Sequence, residues 1–162
     1  MADNSLKVAN ILLNSQMRVK IADFGLAAKL SSDFEKRKTV CGTPNFIAPE
    51  ILDNSKGYSY PADIWSLGVI CFNLLTGKLP FEAFSSKEIY SKIQEGKYSF
   101  PANVNLSIAA KDLVSKMLVV DPEKRIKLSQ ILRHPFLSPK GGIPSYMPTS
   151  TMTTIPPPSF IK

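Results

Sequence analysis

The 162-residue chain is long enough for one domain with a hydrophobic core, and its 44% hydrophobic content excludes disorder throughout. Its formal net charge of +7 suits acidic or phosphorylated partners, but the same charge arises when basic residues simply solvate a surface. No arginine-rich run with interleaved aromatic residues is present, so binding to nucleic acid is not expected. The longest apolar stretch, residues 64–75, is too short and too polar to span a membrane, and no membrane partner is expected.

The two cysteines indicate the compartment. Cys41 and Cys71 are too few for a disulfide framework and lack metal-ligand spacing, so we expect reduced thiols. The N-terminus shows no basic region followed by an apolar run, which is the pattern of a signal peptide. An intracellular protein of the cytoplasm or nucleus is therefore expected.

The chain divides into a body and a tail. Periodic hydrophobic patterns run from residue 10 to about residue 137 and then stop. Residues 138–162 contain six of the 13 prolines and no acidic residue. This composition predicts an extended linker, partly of polyproline type, after a globular body over residues 1–137.

The body begins with a predicted β-hairpin and a central helix. Residues 10–13 and 18–21 are β-prone runs joined by four turn-forming residues. Pro61 then opens a helix that ends at Thr76, before Gly77. Because its apolar residues lie on every side, we expect this helix to be buried at the centre of the domain.

Three further helices are predicted downstream. One covers about residues 87–94, with Ser85 and Glu88 at capping-box spacing. A second runs over about residues 107–120, and its predicted apolar face consists of Ile108, Leu113, Met117 and Leu118. A short third helix covers residues 129–133. The predicted fold class is therefore mainly α with one small β-hairpin.

Candidate chemistry lies in the first fifty residues. The tripeptide Asp23-Phe24-Gly25 follows the second predicted strand. A carboxylate is a hard oxygen ligand that suits Mg²⁺, and Gly25 allows the backbone to bend so that Asp23 points into a cleft. A lone tripeptide of this kind is a weak signal, and its value depends on the motifs around it.

Those motifs resemble a known family. Leu6-Lys7-Val8-Ala9-Asn10 precedes Asp23, and residues 37–50, which contain Thr39 and end in Ala48-Pro49-Glu50, follow it. The set resembles the catalytic loop and activation segment of a Ser/Thr protein kinase, and residues 37–50 narrow the resemblance to polo-like kinases. Within the tail, residues 142–144 and 154–157 resemble the linker after the kinase domain of the mitotic polo branch.

The resemblance implies a fold and an activity. Residues 1–137 would be a partial kinase domain, namely the C-terminal lobe with its small hairpin, and residues 138–162 the linker that follows it. The implied reaction is transfer of the ATP γ-phosphate to Ser or Thr of protein substrates. Asn10 and Asp23 would bind Mg²⁺ and, through it, ATP, while Lys7 would neutralise charge on the transferred phosphoryl group.

The remaining matched positions have roles in regulation, substrate binding and structure. Thr39 matches the threonine whose phosphorylation orders the activation loop. Thr43 matches the threonine that shapes the substrate groove. Glu50 matches a glutamate that pairs with a buried arginine, here Arg125, and Asp63 matches an aspartate that anchors the catalytic loop.

Two departures from the family pattern affect the expected activity. Ser5 occupies the position of the catalytic aspartate, and a serine cannot accept the substrate proton as a carboxylate can. The sequence also contains no Gly-rich loop and no strand lysine of the ATP-binding N-terminal lobe. We therefore expect a truncated polo-like kinase without the N-terminal lobe, inactive alone and with part of its central helix uncovered.

A second class of function remains open. The chain could be a non-catalytic interaction module that competes with or scaffolds an intact kinase through the retained groove and the Pro-rich tail. Its expected partners are protein substrates or an intact kinase, and its oligomeric state is not predicted. Localisation to centrosomes or the spindle is suggested only by analogy with the family.

Overall fold

The structure is a computed structural model that describes residues 2–3, 6–25, 27–28, 35, 43–53 and 57–137. Several of the predictions concern residues outside these ranges. They are the serine at the base position (Ser5), the phosphorylation site (Thr39), one cysteine (Cys41) and the linker (138–162).

Helices dominate the described residues, and the strands are short. Five α-helices follow the N-terminal strands: α1 (Pro49–Leu52), α2 (Pro61–Thr76), α3 (Ser86–Glu95), α4 (Ile108–Met117) and α5 (Leu128–Ile131). Three 3₁₀ turns lie at Val8–Asn10, Pro44–Phe46 and Pro135–Leu137. The mainly helical prediction is confirmed. Every helix in the described part of the chain is too short or too polar to cross a bilayer.

Within the described residues, four short strands form two antiparallel pairs. The predicted hairpin is present as β2 (Ile11–Leu13) and β3 (Val19–Ile21), in which Ile11 pairs with Ile21 and Leu13 with Val19. The second pair joins β1 (Ala2–Asp3) to β4 (Ala27–Ala28), and β1 contacts α2. The sequence did not predict this second pair, since strands of two residues show no periodicity.

Helix α2 begins and ends where the sequence predicts. Pro61 lies at its first position, where the missing N–H is not needed. Gly77 ends the helix with a left-handed φ of 72°, and its N–H donates to the Asn73 carbonyl at 2.8 Å. The next two helices start at serine N-caps: Ser85 Oγ accepts the Glu88 N–H, and Ser107 Oγ accepts the Ala110 N–H.

The main core surrounds one side of α2. Trp65, Val69 and Phe72 are fully buried in it, and the Trp65 ring stacks on Phe81 with ring centroids 5.4 Å apart. The other members of the cluster come from α1, α2, α3, α4 and the loops that flank these helices: Ile47, Ala48, Ile51, Tyr58, Ala62, Phe81, Ile89, Ile93, Val114 and Leu118. Helix α2 therefore supports the segment over residues 44–52 that carries the predicted substrate groove.

A second, smaller core lies where α2 meets α4 and α5. Leu113, Met117 and Ile131 are buried there, with Ile64, Leu67 and Phe136 packed against them. Gly68 allows the close approach of α2 and α4, because a Cβ at this position would lie 2.8 Å from the Met117 Cβ. On this side, α2 therefore packs directly against α4.

Two predictions about buried faces are wrong. Leu74 is 69% exposed, so α2 is not buried on every side. Ile108 is 88% exposed, because it is the first residue of α4 and lies away from the face that carries Leu113 and Met117. Apolar residues at helix ends reach solvent here although their sequence positions fit an apolar pattern.

Candidate functional site

The turn after β3 holds Asp23 in an unusual backbone conformation. Its φ is 62°, in the left-handed region that non-glycine residues rarely adopt. The Gly25 N–H donates to Asp23 Oδ1 at 3.3 Å, and a Cβ at Gly25 would lie 3.2 Å from that same oxygen. The carboxylate is solvent-exposed, and its orientation is set by the backbone that follows it.

Asn10 lies beside Asp23 although 13 residues separate them. Its side chain is buried, and its Nδ2 donates to Asp23 Oδ2 at 3.4 Å, which is a long hydrogen bond. The backbone fixes this arrangement because the Ala22 N–H donates to the Asn10 carbonyl at 2.8 Å. The hairpin formed by β2 and β3 therefore brings the two predicted magnesium ligands together.

The donor set fits Mg²⁺ in kind. One carboxylate and one amide oxygen are the hard oxygen ligands that a magnesium–phosphate complex takes from a protein. Lys7 lies just before the Val8–Asn10 turn, and its carbonyl accepts the Asn10 N–H at 3.0 Å. Lys7 is therefore connected to Asn10 through the backbone of one tight turn. The described residues contain no cluster of three or more His, Cys, Asp or Glu side chains that would form a further metal site.

The predicted substrate segment is attached to α2. Thr43 starts the Pro44–Phe46 turn, and the Phe46 N–H donates to the Thr43 carbonyl at 2.9 Å. Buried Ser66 of α2 donates its hydroxyl to the Phe46 carbonyl at 2.8 Å. Asn45 Nδ2 also reaches the Phe81 carbonyl, at 3.4 Å. These bonds hold the segment in one conformation against the main core.

The contact that Ser66 makes with the substrate segment was not predicted from the sequence. The available signal was a polar residue within the otherwise apolar residues 64–72 of α2. Its hydroxyl also lies 3.3 Å from the Ala62 carbonyl, the usual acceptor for a serine within a helix. The partner that matters for the substrate segment comes from 20 residues upstream, and no local pattern reveals it.

Glu50 and Arg125 form a buried bidentate ion pair. Arg125 Nη1 donates to Glu50 Oε1 at 2.8 Å and Nη2 donates to Oε2 at 2.9 Å, with side-chain exposures of 0% for Arg125 and 5% for Glu50. The remaining guanidinium N–H groups donate to the carbonyls of Pro61 at 2.6 Å, Val119 at 3.0 Å and Val120 at 3.4 Å. All five donors are therefore satisfied, and the guanidinium carbon also lies 5.2 Å from the Trp65 ring centroid.

Asp63 lies in the first turn of α2 and is half-buried. Because β1 contacts α2 and directly precedes the catalytic-loop pattern, Asp63 belongs to the helix on which that loop is supported. The anchoring of the catalytic-loop backbone by Asp63 stays a prediction.

Comparison with known proteins identifies the class of protein. Residues 4–137 match the protein kinase domain family, which is most of the chain. The chain belongs to the protein kinase family.

Its relatives narrow that class to polo-like kinases. A probable serine/threonine-protein kinase CCRP1 of Zea mays is 53% identical over 157 residues, 97% of this chain and 25% of the relative. Serine/threonine-protein kinase PLK1 of Xenopus laevis is 49% identical over 152 residues, 94% of this chain and 25% of the relative. Serine/threonine-protein kinase polo of Drosophila melanogaster is 45% identical over 152 residues, 93% of this chain and 26% of the relative.

These similarities confirm the predicted resemblance to a polo-like Ser/Thr kinase. The chain spans about a quarter of the length of each of these relatives.

Proposed function

We propose that this chain is the C-terminal-lobe part of a polo-like Ser/Thr kinase domain, the part that binds magnesium and receives the protein substrate. One observation carries the proposal: Asn10 and Asp23 lie within hydrogen-bond distance of each other at the end of the β2–β3 hairpin. The family generally uses ATP and Mg²⁺, and the two side chains supply the oxygen ligands that suit this ion. In the proposed division, residues 1–137 are the kinase part and residues 138–162 a linker.

Each site residue has a role in this proposal. Asn10 and Asp23 would hold a magnesium ion, which would neutralise charge on the ATP phosphates, and Lys7 would neutralise charge on the phosphoryl group in transfer. In the proposal, Thr43 shapes the groove for the residue that follows the target Ser or Thr. Phosphorylation of Thr39 orders the activation loop, which precedes Thr43. The attachment of the Pro44–Phe46 turn to Ser66 supports a groove that exists before substrate binds.

The 162 residues by themselves are proposed not to catalyse phosphoryl transfer. A Ser/Thr kinase positions the substrate hydroxyl with an aspartate in the catalytic loop, and Ser5 stands at that position. A hydroxyl at Ser5 has neither the negative charge nor the basicity to accept the substrate proton. Loss of such a group reduces the rate by about 10²–10⁴-fold.

A binding experiment tests the magnesium site separately from activity. Mn²⁺ added with ATP should broaden the amide NMR signals of Asn10, Ala22 and Gly25, because a bound paramagnetic ion relaxes nearby nuclei. Asp23→Ala should abolish this broadening, whereas Asp121→Asn, a change at an exposed and distant carboxylate, should leave it intact. Broadening that survives Asp23→Ala would refute the proposed site.

An activity experiment tests the second part of the proposal. The 162-residue chain incubated with radiolabelled Mg·ATP and casein should transfer no label above background. Label transfer that Asp23→Ala abolishes would show that the chain is an active kinase without an aspartate at position 5. Label transfer that persists in Asp23→Ala would come from a contaminating kinase.

We also propose a second function, in which the chain binds protein substrates without phosphorylating them. The observation that favours it is the fixed Thr43–Phe46 segment, which the described residues hold in place through Ser66 and Asn45. The chain should then inhibit phosphorylation of casein by an intact polo-like kinase, and Thr43→Arg should relieve the inhibition by blocking the groove. Equal inhibition by the chain and by Thr43→Arg would contradict this function.

A further inference from the structure

His134 lies at the junction between α5 and the Pro135–Leu137 turn. Its imidazole is buried, at 5% exposure, and uses both ring nitrogens. Nε2 lies 2.8 Å from Asp112 Oδ2 of α4, and Nδ1 lies 3.2 Å from the Phe136 backbone nitrogen. The ring therefore connects α4 to the turn through two separate hydrogen bonds.

The partners define which nitrogen carries the proton. A backbone N–H can only donate, so Nδ1 must accept the Phe136 N–H through its lone pair. A carboxylate can only accept, so Nε2 must carry the hydrogen that it donates to Asp112. The fold therefore selects the neutral Nε2–H tautomer of His134.

Protonation of the ring would break only one of these bonds. A second proton must occupy Nδ1, which then becomes a donor facing the Phe136 N–H donor. The Nε2 bond to Asp112 would persist and gain charge assistance. Protonation thus keeps the ring on α4 and releases the Phe136 N–H, while the Leu137 N–H still donates to the His134 carbonyl at 2.9 Å.

The charges around the ring come from α4, the loop before α5 and the residues that follow α5. Asp112 faces Nε2 directly, and Lys116 Nζ shares the same carboxylate oxygen at 2.7 Å. Lys116 and then His134 hold the pKa of Asp112 below its usual value, so the carboxylate stays ionised as the pH falls towards 5. The cleft beside the ring, of about 500 Å³, is also lined by Glu123, Lys124, Arg125, Lys127 and Arg133.

The turn that His134 holds has a structural role. The Phe136 side chain packs against the second core of Leu113, Met117 and Ile131. Leu137, the last residue of the turn, is also the last residue of the part that matches the kinase family. A change at the Phe136 backbone would therefore alter how the end of the kinase part is attached to α4.

We propose that His134 is a proton-operated latch, which holds the Phe136 backbone N–H of the 135–137 turn when the ring is neutral and releases that N–H when the ring is protonated. The hydrogen bond from Nε2 to Asp112 persists in both protonation states, whereas the bond from the Phe136 N–H to Nδ1 breaks on protonation. His134 is the sole histidine of the 162-residue sequence, so no other imidazole contributes to a pH response.

Amide hydrogen exchange of the full 162-residue chain tests the latch. Between pH 8 and pH 5, the protection factor of the Phe136 amide should fall about tenfold, the change expected for loss of one hydrogen bond. The Leu118 amide, which donates to the Val114 carbonyl at 2.9 Å at the C-terminal end of α4, should keep its protection factor. Nitrogen NMR of the labelled ring should show the Nε2–H tautomer at pH 8.

Two uncharged variants of His134 distinguish the contribution of the Nδ1–Phe136 bond from that of the Nε2–Asp112 bond. His134→Asn places an amide oxygen near the Nδ1 position, so it should keep the Phe136 amide protected at every pH. His134→Gln places an amide NH₂ near the Nε2 position and removes the Nδ1 acceptor, so it should leave the Phe136 amide unprotected at every pH. Circular dichroism of each variant checks that the helices are intact.

Two results would overturn the latch. One is a Phe136 protection factor in the wild-type chain that stays constant from pH 8 to pH 5. The other is an acid-induced loss of protection that persists in His134→Asn, because that variant has no imidazole to protonate.

Discussion

The pair between Glu50 and Arg125 shows how a charged residue can be buried. Removing a carboxylate and a guanidinium from water is unfavourable unless every donor and acceptor finds a partner. Here five N–H groups meet five oxygens, two of them from Glu50 and three from backbone carbonyls. The three main-chain acceptors are the carbonyl of Pro61, at the start of α2, and those of Val119 and Val120, in the loop after α4. Together with Glu50 of α1, Arg125 therefore connects three parts of the chain.

Replacing Glu50 by Gln should therefore destabilise the fold strongly. The variant keeps the shape of the side chain but leaves the buried Arg125 charge uncompensated, at a loss of about 3–5 kcal/mol in the free energy of unfolding. Urea denaturation measures this loss. Glu88→Gln, at an exposed carboxylate of α3, serves as the control and should change the free energy of unfolding by less than about 0.5 kcal/mol. Equal losses in the two variants would contradict the importance of the pair.

Asp112 should make stability depend on pH in the acid range. Its hydrogen bonds from Lys116 and then His134 lower its pKa in the folded protein below the ordinary value of 3.8. A carboxyl whose pKa is lowered by folding stabilises the protein fully above its unfolded pKa, and this contribution disappears as the pH falls through the folded pKa. Asp112→Asn should therefore lower stability at pH 6 and have a progressively smaller effect below about pH 4.

Urea denaturation of the wild-type chain and Asp112→Asn between pH 6 and pH 2 checks this dependence. Asp121→Asn is a matched control, because Asp121 also lies near a lysine but only at 3.7 Å and on an exposed loop. A stability difference between wild type and Asp112→Asn that stays constant over this pH range would refute the assignment.

For individual residues, the sequence mostly failed to predict which side chains contact each other. The predicted magnesium ligands Asn10 and Asp23 were selected through motif spacing, and in the structure their side chains lie within hydrogen-bond distance of each other. Ser66 and Asp112 were not identified as partners, because their acceptors and donors lie 20 and 22 residues away in sequence. Tertiary packing alone determines those distances.

The close approach of helices α2 and α4 depends on a single glycine. Gly68 has no side chain, and the Met117 and Leu118 side chains occupy the space where one would project. Glycine is a poor helix former, so its presence in the middle of α2 is explained by this close packing.

Gly68→Ala should consequently destabilise the protein although alanine favours the helical conformation. A Cβ only 2.8 Å from the Met117 Cβ forces the two helices apart, and overpacking of this kind costs about 1–3 kcal/mol. Thermal unfolding followed by circular dichroism measures the change. Leu74→Ala, at a 69% exposed position of the same helix, controls for the helix propensity of alanine. A variant more stable than wild type would show that helix propensity outweighs the contact.

Element positions were well predicted where local chemistry decides them. Proline at the start of α2, glycine at its end and serine caps on α3 and α4 act within one helical turn, so the sequence reveals them. Burial of Ile108 and Leu74 was predicted wrongly, since exposure depends on which neighbouring element covers a residue. The β1–β4 pair was missed because its two strands lie far apart in sequence and are only two residues long.

For the whole molecule, the β2–β3 hairpin presents an apolar face to solvent. Because paired residues share a face, Ile11, Leu13, Val19 and Ile21 lie together on one side of it. Leu13, Val19 and Ile21 are 47%, 62% and 47% exposed. A contiguous exposed apolar face of this kind marks a surface that another protein surface covers or that promotes self-association.

The 162-residue chain should therefore bind an apolar dye and self-associate through this face. The double substitution Leu13→Gln and Val19→Thr should reduce both dye fluorescence and the apparent mass in light scattering. Leu12→Gln is the matched control, because Leu12 is 51% exposed but lies on the opposite side of the hairpin. Dye binding that is insensitive to the double substitution would exclude the face as the site of association.

The ion pair of Glu50 and Arg125 affects the unfolding rate as well as the free energy of unfolding. Its two residues lie 75 positions apart, so the pair can form only after a long loop has closed. We infer that it is absent from the folding transition state and present only in the native protein. Glu50→Gln should then increase the unfolding rate in stopped-flow experiments and leave the refolding rate nearly unchanged. The pair would thus determine how long the folded state lasts once formed, and have little influence on how fast it is reached.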